Sequence, residues 1–161
     1  MLIRAFSSVH KKYSDALLVV VGSGPLEKQI HQLVSELGIG QKIIFVGRVT
    51  HDQVPDYLAA VDFLCLPSLR EGCPNIVLEA LSTGTPVLSS RVGAVPEMLN
   101  SQKNILGLMA EPNDVDDFAS IIEQGMAIDW QRPLNFEWMS WQESADTIAD
   151  VLTDVVSFVR K

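Results

Sequence analysis

Five short, largely apolar runs constrain the fold of this chain more than any other feature. They lie at 17–21, 43–46, 63–66, 86–89 and 105–109. The runs do not alternate between apolar and polar positions, so we expect each to be a strand buried on both faces. Such strands are typical of a parallel sheet covered by helices.

Segments with helical spacing separate these runs. Between the first two, apolar residues recur every three or four positions; Pro25 suits the first helical turn and Gly38 suits the stop. Thr50 and Gln53 have the spacing of a capping box that opens the next helix. Further helices are predicted over 1–12, 74–82, 95–99, 114–124 and 141–160, with a loop over 127–135. Alternating strands and helices predict an α/β fold with a doubly wound, Rossmann-like parallel sheet, as one domain over 1–161.

Ligands of such sheets bind beyond the carboxyl ends of the strands. The richest loop there is 67–74, which leads into the helix at 74–82. The backbone N–H groups of Asn75 and Ile76 would point out of this helix start, where the helix dipole favours an anion. Glu71 and Glu79 flank the spot, and carboxylates beside a phosphate suit sugar hydroxyls. For a glutamate pair taken alone, two solvated surface residues are the simpler interpretation.

Several stretches in order resemble the nucleotide-sugar half of family 4 (group 1) glycosyltransferases of the GT-B fold. They are VVVGSGP at 19–25, IFVGRV at 44–49, the pair Glu71 and Glu79 with Gly72 after the first, GTPV at 84–87 and GAVPE at 93–97. No single stretch is specific, but their joint order and spacing are. The likeness extends more loosely over nearly the whole chain. It argues strongly against the interpretation of Glu71 and Glu79 as two solvated surface residues.

The resemblance implies a role for each matching residue. Glu71, followed by Gly72, would hold hydroxyls of the donor sugar and serve as the catalytic position. The N–H groups of Asn75 and Ile76 would hold the donor diphosphate, and Glu79 the ribose hydroxyls. The backbone of Arg48 and Val49 would border the base. The family implies a retaining transfer from a nucleotide-diphosphate sugar, with no obligatory metal and no further cofactor.

Two departures from the family pattern bear on the substrate and on the loop geometry. Cys73 and Pro74 stand where Phe-Gly is commoner in the family, so the resemblance does not determine the identity of the donor. Ala94 replaces a frequent glycine, so its loop is expected to be less permissive.

By resemblance, residues 1–161 form the C-terminal piece of a transferase of about twice this length. The family carries a glycine-rich strand with an Arg and a Lys, which neutralise the donor phosphates, just before the helix matching 1–12. It also carries an N-terminal acceptor-binding domain, through which peripheral membrane association could arise. We therefore expect the isolated chain to be inactive and to bind nucleotide weakly, and we expect a surface polysaccharide or glycolipid as the product of the complete enzyme.

The apparently missing first strand makes a topological prediction. In the order 3-2-1-4-5-6 that strand is central. The strand at 17–21 is therefore expected either to leave a gap beside the strand at 63–66 or to close up against it. A gap would expose unpaired backbone groups and favour self-association.

Other motifs have plainer interpretations. Gly22-x-Gly24 lacks the third glycine of a dinucleotide site, since position 27 is Glu27, and is interpreted as a tight turn. Asp114-Val115-Asp116 spells a D-x-D metal motif but opens a helix, so helix capping is favoured. The remaining candidates are interpreted as solvated, capping or packing residues: His10, His31, His51, Cys73, Trp130, Trp138 and Trp141.

Charge and composition exclude several classes of protein. The net charge of −8 argues against non-specific nucleic-acid binding. The apolar runs are far shorter than the ~20 residues that cross a bilayer, and two cysteines without a CxxC pair indicate reduced thiols in a cytoplasmic protein. Two alternatives stay open: a non-catalytic or degenerate domain that binds nucleotide or a partner protein, and half of a GT-B nucleotide-sugar epimerase.

Overall fold

A computed structural model of the chain describes residues 1–100 and 106–130, together with helical positions 142, 143, 145, 146 and 148–150. Strands and helices alternate through the first two ranges. In chain order they are α1 (Leu2–His10), β1 (Leu18–Val21), α2 (Glu27–Glu36), β2 (Ile43–Gly47), α3 (Val54–Ala60), β3 (Leu64–Leu66), α4 (Asn75–Ser82), β4 (Val87–Ser90), α5 (Val95–Leu99), β5 (Gly107–Ala110) and α6 (Val115–Ala127). Residue 105, Trp138, Trp141, most of the loop at 127–135 and much of the helix at 141–160 lie outside the described residues.

All strand pairing in the described part is parallel, as the sequence predicts. β1 pairs with β2, and β3, β4 and β5 form a second sheet in that order. In the described ranges no ladder joins β1 to β3, so of the two expected outcomes, a gap or closure, the strands do not close up. The α/β fold with parallel sheets is therefore confirmed, in two separately hydrogen-bonded sheets.

The expectation that every strand is buried on both faces is wrong for most of them. All four residues of β4 are buried, whereas β1 and β3 contain no buried residue. β2 has one, Ile43. The difference follows the pairing, because only β4 has a hydrogen-bonded strand on both sides among the described residues. Leu17, Val21 and Ile44 accordingly remain exposed at or beside β1 and β2.

Helix α1 contributes side chains to two different cores. Ile3 and Phe6 belong to a cluster with Val34, Ile39 and Ile43, which packs against β1 and β2 and is called the β1–β2 core below. Ala5 and Val9 belong to a cluster that includes Leu88 on β4 and Phe118 on α6, called the α6 core. Successive faces of one nine-residue helix thus join the two sheets.

A third core covers the opposite side of β3 and β4. It is formed by apolar side chains of α3, α4 and α5, among them Leu58, Val77, Leu81, Val95 and Met98. Thr85 is fully buried beside it, and its hydroxyl donates a hydrogen bond to the Leu58 carbonyl at 2.7 Å. These contacts fix the direction of α4, whose first residues carry the predicted anion site.

The helix boundaries depart from the sequence predictions at several ends. Pro25 precedes α2, which begins at Glu27, because Pro25 and Leu26 form a turn. Pro74 occupies the N-cap position of α4 with extended backbone (φ −74°, ψ 106°), so the helix begins at Asn75. Gln53 Oε1 accepts a hydrogen bond from the Thr50 N–H at 3.0 Å, but a 3₁₀ turn at His51–Gln53 comes before α3.

Candidate functional site

The loops after β1 and β2 are joined to each other. The Gly22 N–H donates to the Gly47 carbonyl at 2.7 Å, and Arg48 Nε donates to Ser23 Oγ at 2.7 Å. Gly22 and Gly47 have φ values of 115° and 78°, which side-chain-bearing residues rarely adopt. Arg48 is therefore held at the carboxyl ends of β1 and β2, exposed to solvent, with half-buried Val49 next to it.

The start of α4 has the features of an anion site. Its N-cap residue, Pro74, makes no side-chain capping hydrogen bond, and the third N–H of the helix, from Val77, bonds to the Pro74 carbonyl at 3.0 Å. The N–H groups of Asn75 and Ile76 occupy the first two positions, where no partner within the helix exists. An uncapped helix start of this kind favours an anion because its N–H groups and dipole both point outward.

Helix α6 shows what a side-chain cap looks like in the same chain. Asp114 accepts hydrogen bonds from the N–H groups of Asp116 and Asp117, at 3.0 and 2.9 Å. The capping interpretation of the D-x-D sequence is therefore confirmed. The residues that the structure describes include no cluster of three potential metal-ligating side chains.

Glu71 is half-buried in the loop between β3 and α4, and its side chain is hydrogen-bonded. Ser68 Oγ donates to Glu71 Oε1 at 2.7 Å. Glu79 is half-buried on α4, four residues after Asn75, so the two share one face of the helix. Glu79 therefore lies one helical turn below the N–H groups of the helix start.

The loop after β4 packs directly against the backbone of Glu71 and Gly72. The Ala94 N–H donates to the Gly72 carbonyl at 2.8 Å. Gly93 has a φ of 51°, and a Cβ there would lie 2.3 Å from the Gly72 carbonyl oxygen. Only glycine fits between these two loops without moving one of them.

The sequence-predicted site residues thus fall into two groups. Arg48 and Val49 lie directly after β2, next to the loop that follows β1. The other residues lie in the loop after β3 and in α4, namely Glu71, Gly72, Asn75, Ile76 and Glu79. Sequence reasoning missed Ser23, Ser68 and Gly93 as their partners. The spacing of Ser68 and Glu71 in one polar loop was a usable signal for one of these contacts, whereas nothing local to Gly93 indicated its contact with Gly72.

Other residues considered in the sequence analysis make contacts within the fold. His31 packs on the Phe45 ring with centroids 4.1 Å apart, in a shallow cleft near the amino end of β2. Trp130 is half-buried, and its Nε1–H donates to the Gly125 carbonyl at 2.8 Å, so it packs as expected. Cys65 is half-buried as a residue, but its thiol packs against the α6 core, where burial of the sulfur raises its pKa to about 12. Cys73 is exposed beside the start of α4. Across the described ranges, no helix has both the length and the apolar character needed to cross a membrane.

Comparison with known proteins identifies the family. The model of the family described as "Glycosyl transferases group 1" matches residues 1–127. A Mycobacterium tuberculosis relative, named GDP-mannose-dependent alpha-(1-6)-phosphatidylinositol monomannoside mannosyltransferase, is 30% identical over 95% of this chain and 42% of its own length. The chain therefore spans less than half the length of this relative.

Solved structures with the same fold agree with the family match. Anabaena HepE, solved in complex with UDP, has a TM-score of 0.68 at 23% identity, covering 78% of this chain and 34% of its own. The C-terminal domain of a group 1 family glycosyltransferase (LpcC) from Francisella tularensis has a TM-score of 0.69 at 28% identity, over 79% of this chain and 67% of its own. With the family model covering most of its length, the chain belongs to the group 1 glycosyltransferases, as a Rossmann-like α/β unit of the GT-B type.

Proposed function

We propose that residues 1–161 form the donor-binding domain of a retaining glycosyltransferase that uses a nucleotide-diphosphate sugar. One observation carries the proposal: the uncapped start of α4 directly follows the loop of Glu71 and carries Glu79 one turn below. N–H groups suit a diphosphate, and carboxylates suit the hydroxyls of the two sugars on either side of it. A nucleotide-diphosphate sugar presents these groups in that order.

Each residue then has a defined task. The N–H groups of Asn75 and Ile76 bind the diphosphate and stabilise the negative charge that develops as the sugar leaves. Glu79 accepts hydrogen bonds from the ribose, and Glu71 with Gly72 positions the transferred sugar. Arg48 and Val49 border the base. No metal or other cofactor is proposed, because the helix start, together with the Arg and Lys that the family carries before the helix matching α1, would supply the electrostatic stabilisation.

The names of related proteins support candidate donors and products. The mycobacterial relative is named for GDP-mannose and a phosphatidylinositol mannoside, and HepE is named in complex with UDP. We propose a hexose donor linked to GDP or UDP and, for the whole protein, a glycolipid or surface polysaccharide as product. Acceptor binding is assigned to polypeptide outside these residues, and the isolated chain is proposed to be inactive.

The experiment is an NMR titration of the chain with GDP, UDP, GDP-mannose and UDP-glucose, which detects even millimolar binding. We expect shifts centred on the amides of Asn75 and Ile76 with at least one nucleotide. Glu79→Ala should weaken nucleotide and nucleotide sugar alike, because both contain the ribose. Glu71→Ala should weaken only the nucleotide sugar.

A matched control is Glu36→Ala, which removes an exposed carboxylate at the far end of α2. It should leave every affinity unchanged. Binding that is unaffected by Glu79→Ala, or amide shifts centred away from the start of α4, would contradict the proposed site.

A further inference from the structure

The carboxylate of Glu71 is held by a neighbour in its own loop. Ser68 Oγ donates to Glu71 Oε1 over 2.7 Å, in a partly buried setting. This distance is the usual length of a well-formed O–H···O hydrogen bond. A free glutamate side chain samples many rotamers, so this bond restricts where the carboxylate can point.

The backbone under Glu71 is held by the loop after β4. Gly93 lies so close that a Cβ would come within 2.3 Å of the Gly72 carbonyl oxygen and 2.4 Å of the Glu71 carbonyl oxygen. These are backbone atoms, which cannot rotate away as a flexible side chain can. The Ala94 N–H closes the contact with a 2.8 Å hydrogen bond to the Gly72 carbonyl.

Both supports act on the Glu71 end of the loop. Pro74 lies between Gly72 and the helix start, and it is buried with the fixed φ of a proline ring. The N–H groups at the start of α4 are themselves positioned by the packing of Val77 and Leu81 into the third core. A small disturbance of the Glu71 side chain is therefore not transmitted to the predicted diphosphate site.

We propose that Ser68 and Gly93 are positioning residues for Glu71, and that they set recognition of the transferred sugar without contributing to nucleotide binding. The proposal rests on the proposed function, in which Glu71 contacts that sugar. Ser68 directs the carboxylate, and Gly93 lets the loop after β4 support the peptide that bears it. In this proposal both residues act through Glu71 and not by contact with the donor.

The experiment uses the 161-residue chain and two pairs of variants. Ser68→Ala removes the hydroxyl and Ser68→Thr retains it, with Ser8→Ala, a change on the exposed face of α1, as control. Gly93→Ala introduces the clashing methyl group. Gly40→Ala is its control, because the nearest atom to a Cβ there is 4.0 Å away.

The first measurement needs no ligand. NMR should show that Ser68→Ala shifts the side-chain carboxyl signal of Glu71, and that Ser68→Thr restores it. Gly93→Ala should accelerate exchange of the Ala94 amide at least tenfold, because its hydrogen bond to Gly72 is broken. Neither control should produce these changes.

The second measurement compares Kd for GDP-mannose and UDP-glucose with Kd for GDP and UDP. Ser68→Ala should weaken the nucleotide sugar about tenfold, because a carboxylate that is no longer pre-oriented must be ordered when the sugar binds. The affinity for the nucleoside diphosphate should stay the same. Ser68→Thr should recover most of the loss.

The outcomes separate the two proposals. If the wild-type chain binds neither nucleotide nor nucleotide sugar, the proposed function fails, and the ligand-free signals still decide whether Ser68 and Gly93 hold Glu71. An unchanged Glu71 carboxyl signal in Ser68→Ala overturns the positioning proposal. Equal weakening of nucleotide and nucleotide sugar also overturns it, since the serine would then support the loop as a whole. If Gly93→Ala does not fold, the serine variants alone decide between these outcomes.

Discussion

Helix α1 packs against both sheets, and this arrangement predicts which sheet a core mutation destabilises. Phe6 is only 5% exposed and packs in the β1–β2 core, away from the α6 core. Phe6→Ala leaves a cavity there and should lower the free energy of unfolding by about 3–5 kcal/mol. Domains of this kind have only about 5–15 kcal/mol in total, so the loss is large.

The loss of stability in Phe6→Ala should be greatest in the pair of strands that Phe6 packs against. With no ladder joining β1 to β3 in the described part of the chain, helix packing carries the coupling between the sheets. Amide hydrogen exchange should accelerate in β1 and β2 by roughly a hundredfold or more, and much less in β4 and β5. Val9→Ala, in the α6 core, should give the reverse pattern at about 2 kcal/mol.

Urea unfolding followed by circular dichroism gives the total loss, and exchange measured by NMR gives its location. Arg4→Ala, on the exposed face of α1, is the control and should change stability by less than about 0.5 kcal/mol. Equal acceleration in both sheets after Phe6→Ala would show that they unfold as one unit and would refute this reasoning.

Three further outcomes follow from single contacts. At pH 8 a thiol reagent should modify exposed Cys73 quickly and Cys65 slowly, since burial of the sulfur raises the pKa of Cys65 to about 12. The Cys73→Ser variant should lose the fast phase, and two equal rates would contradict this assignment. Asp114→Ala should lower stability by about 1 kcal/mol in urea unfolding, and Asp114→Asn should retain most of it; no loss in the alanine variant would argue against the cap. The hydrogen bond and charge of Glu123 raise the pKa of Lys12, so the small stabilising effect of this ion pair should persist at neutral pH and be lost as pH rises through the raised pKa of Lys12. A stability difference between wild type and Glu123→Gln that grows with pH would contradict this.

The sequence predicted the order and type of the described elements well, because apolar runs and helical spacing record burial directly. β2 and α5 match to within a residue, and β1 and β3 begin one residue later than predicted. The helix ends were less predictable, since Pro25 and Pro74 fit either the residue before a helix or its first turn. For the two sheets, the expected place of a central strand left two outcomes open, a gap or closure, and only the structure distinguishes them.

The residues of the candidate site were predictable from the sequence, but the residues that hold them in place were less so. Glu71 and Glu79 stand out in sequence because their loop and helix are recognisable. The contact between Gly93 and Gly72 depends on how two loops meet in space, which no local pattern records. That residues 1–161 form a single domain stays a prediction, because 101–105, 131–141, 144, 147 and 151–161 lie outside the described residues.

The two groups of site residues belong to different sheets. Arg48 is fixed by Ser23 to the β1–β2 pair, whereas Glu71 and Asn75 are fixed to the sheet of β3, β4 and β5. A nucleotide that reached from the base position to the start of α4 would therefore bridge two sheets that no backbone ladder joins within the described ranges. Donor binding would then stiffen the domain as a whole, and the width of the site would depend on the packing of one short helix, α1, as much as on the loops that line it.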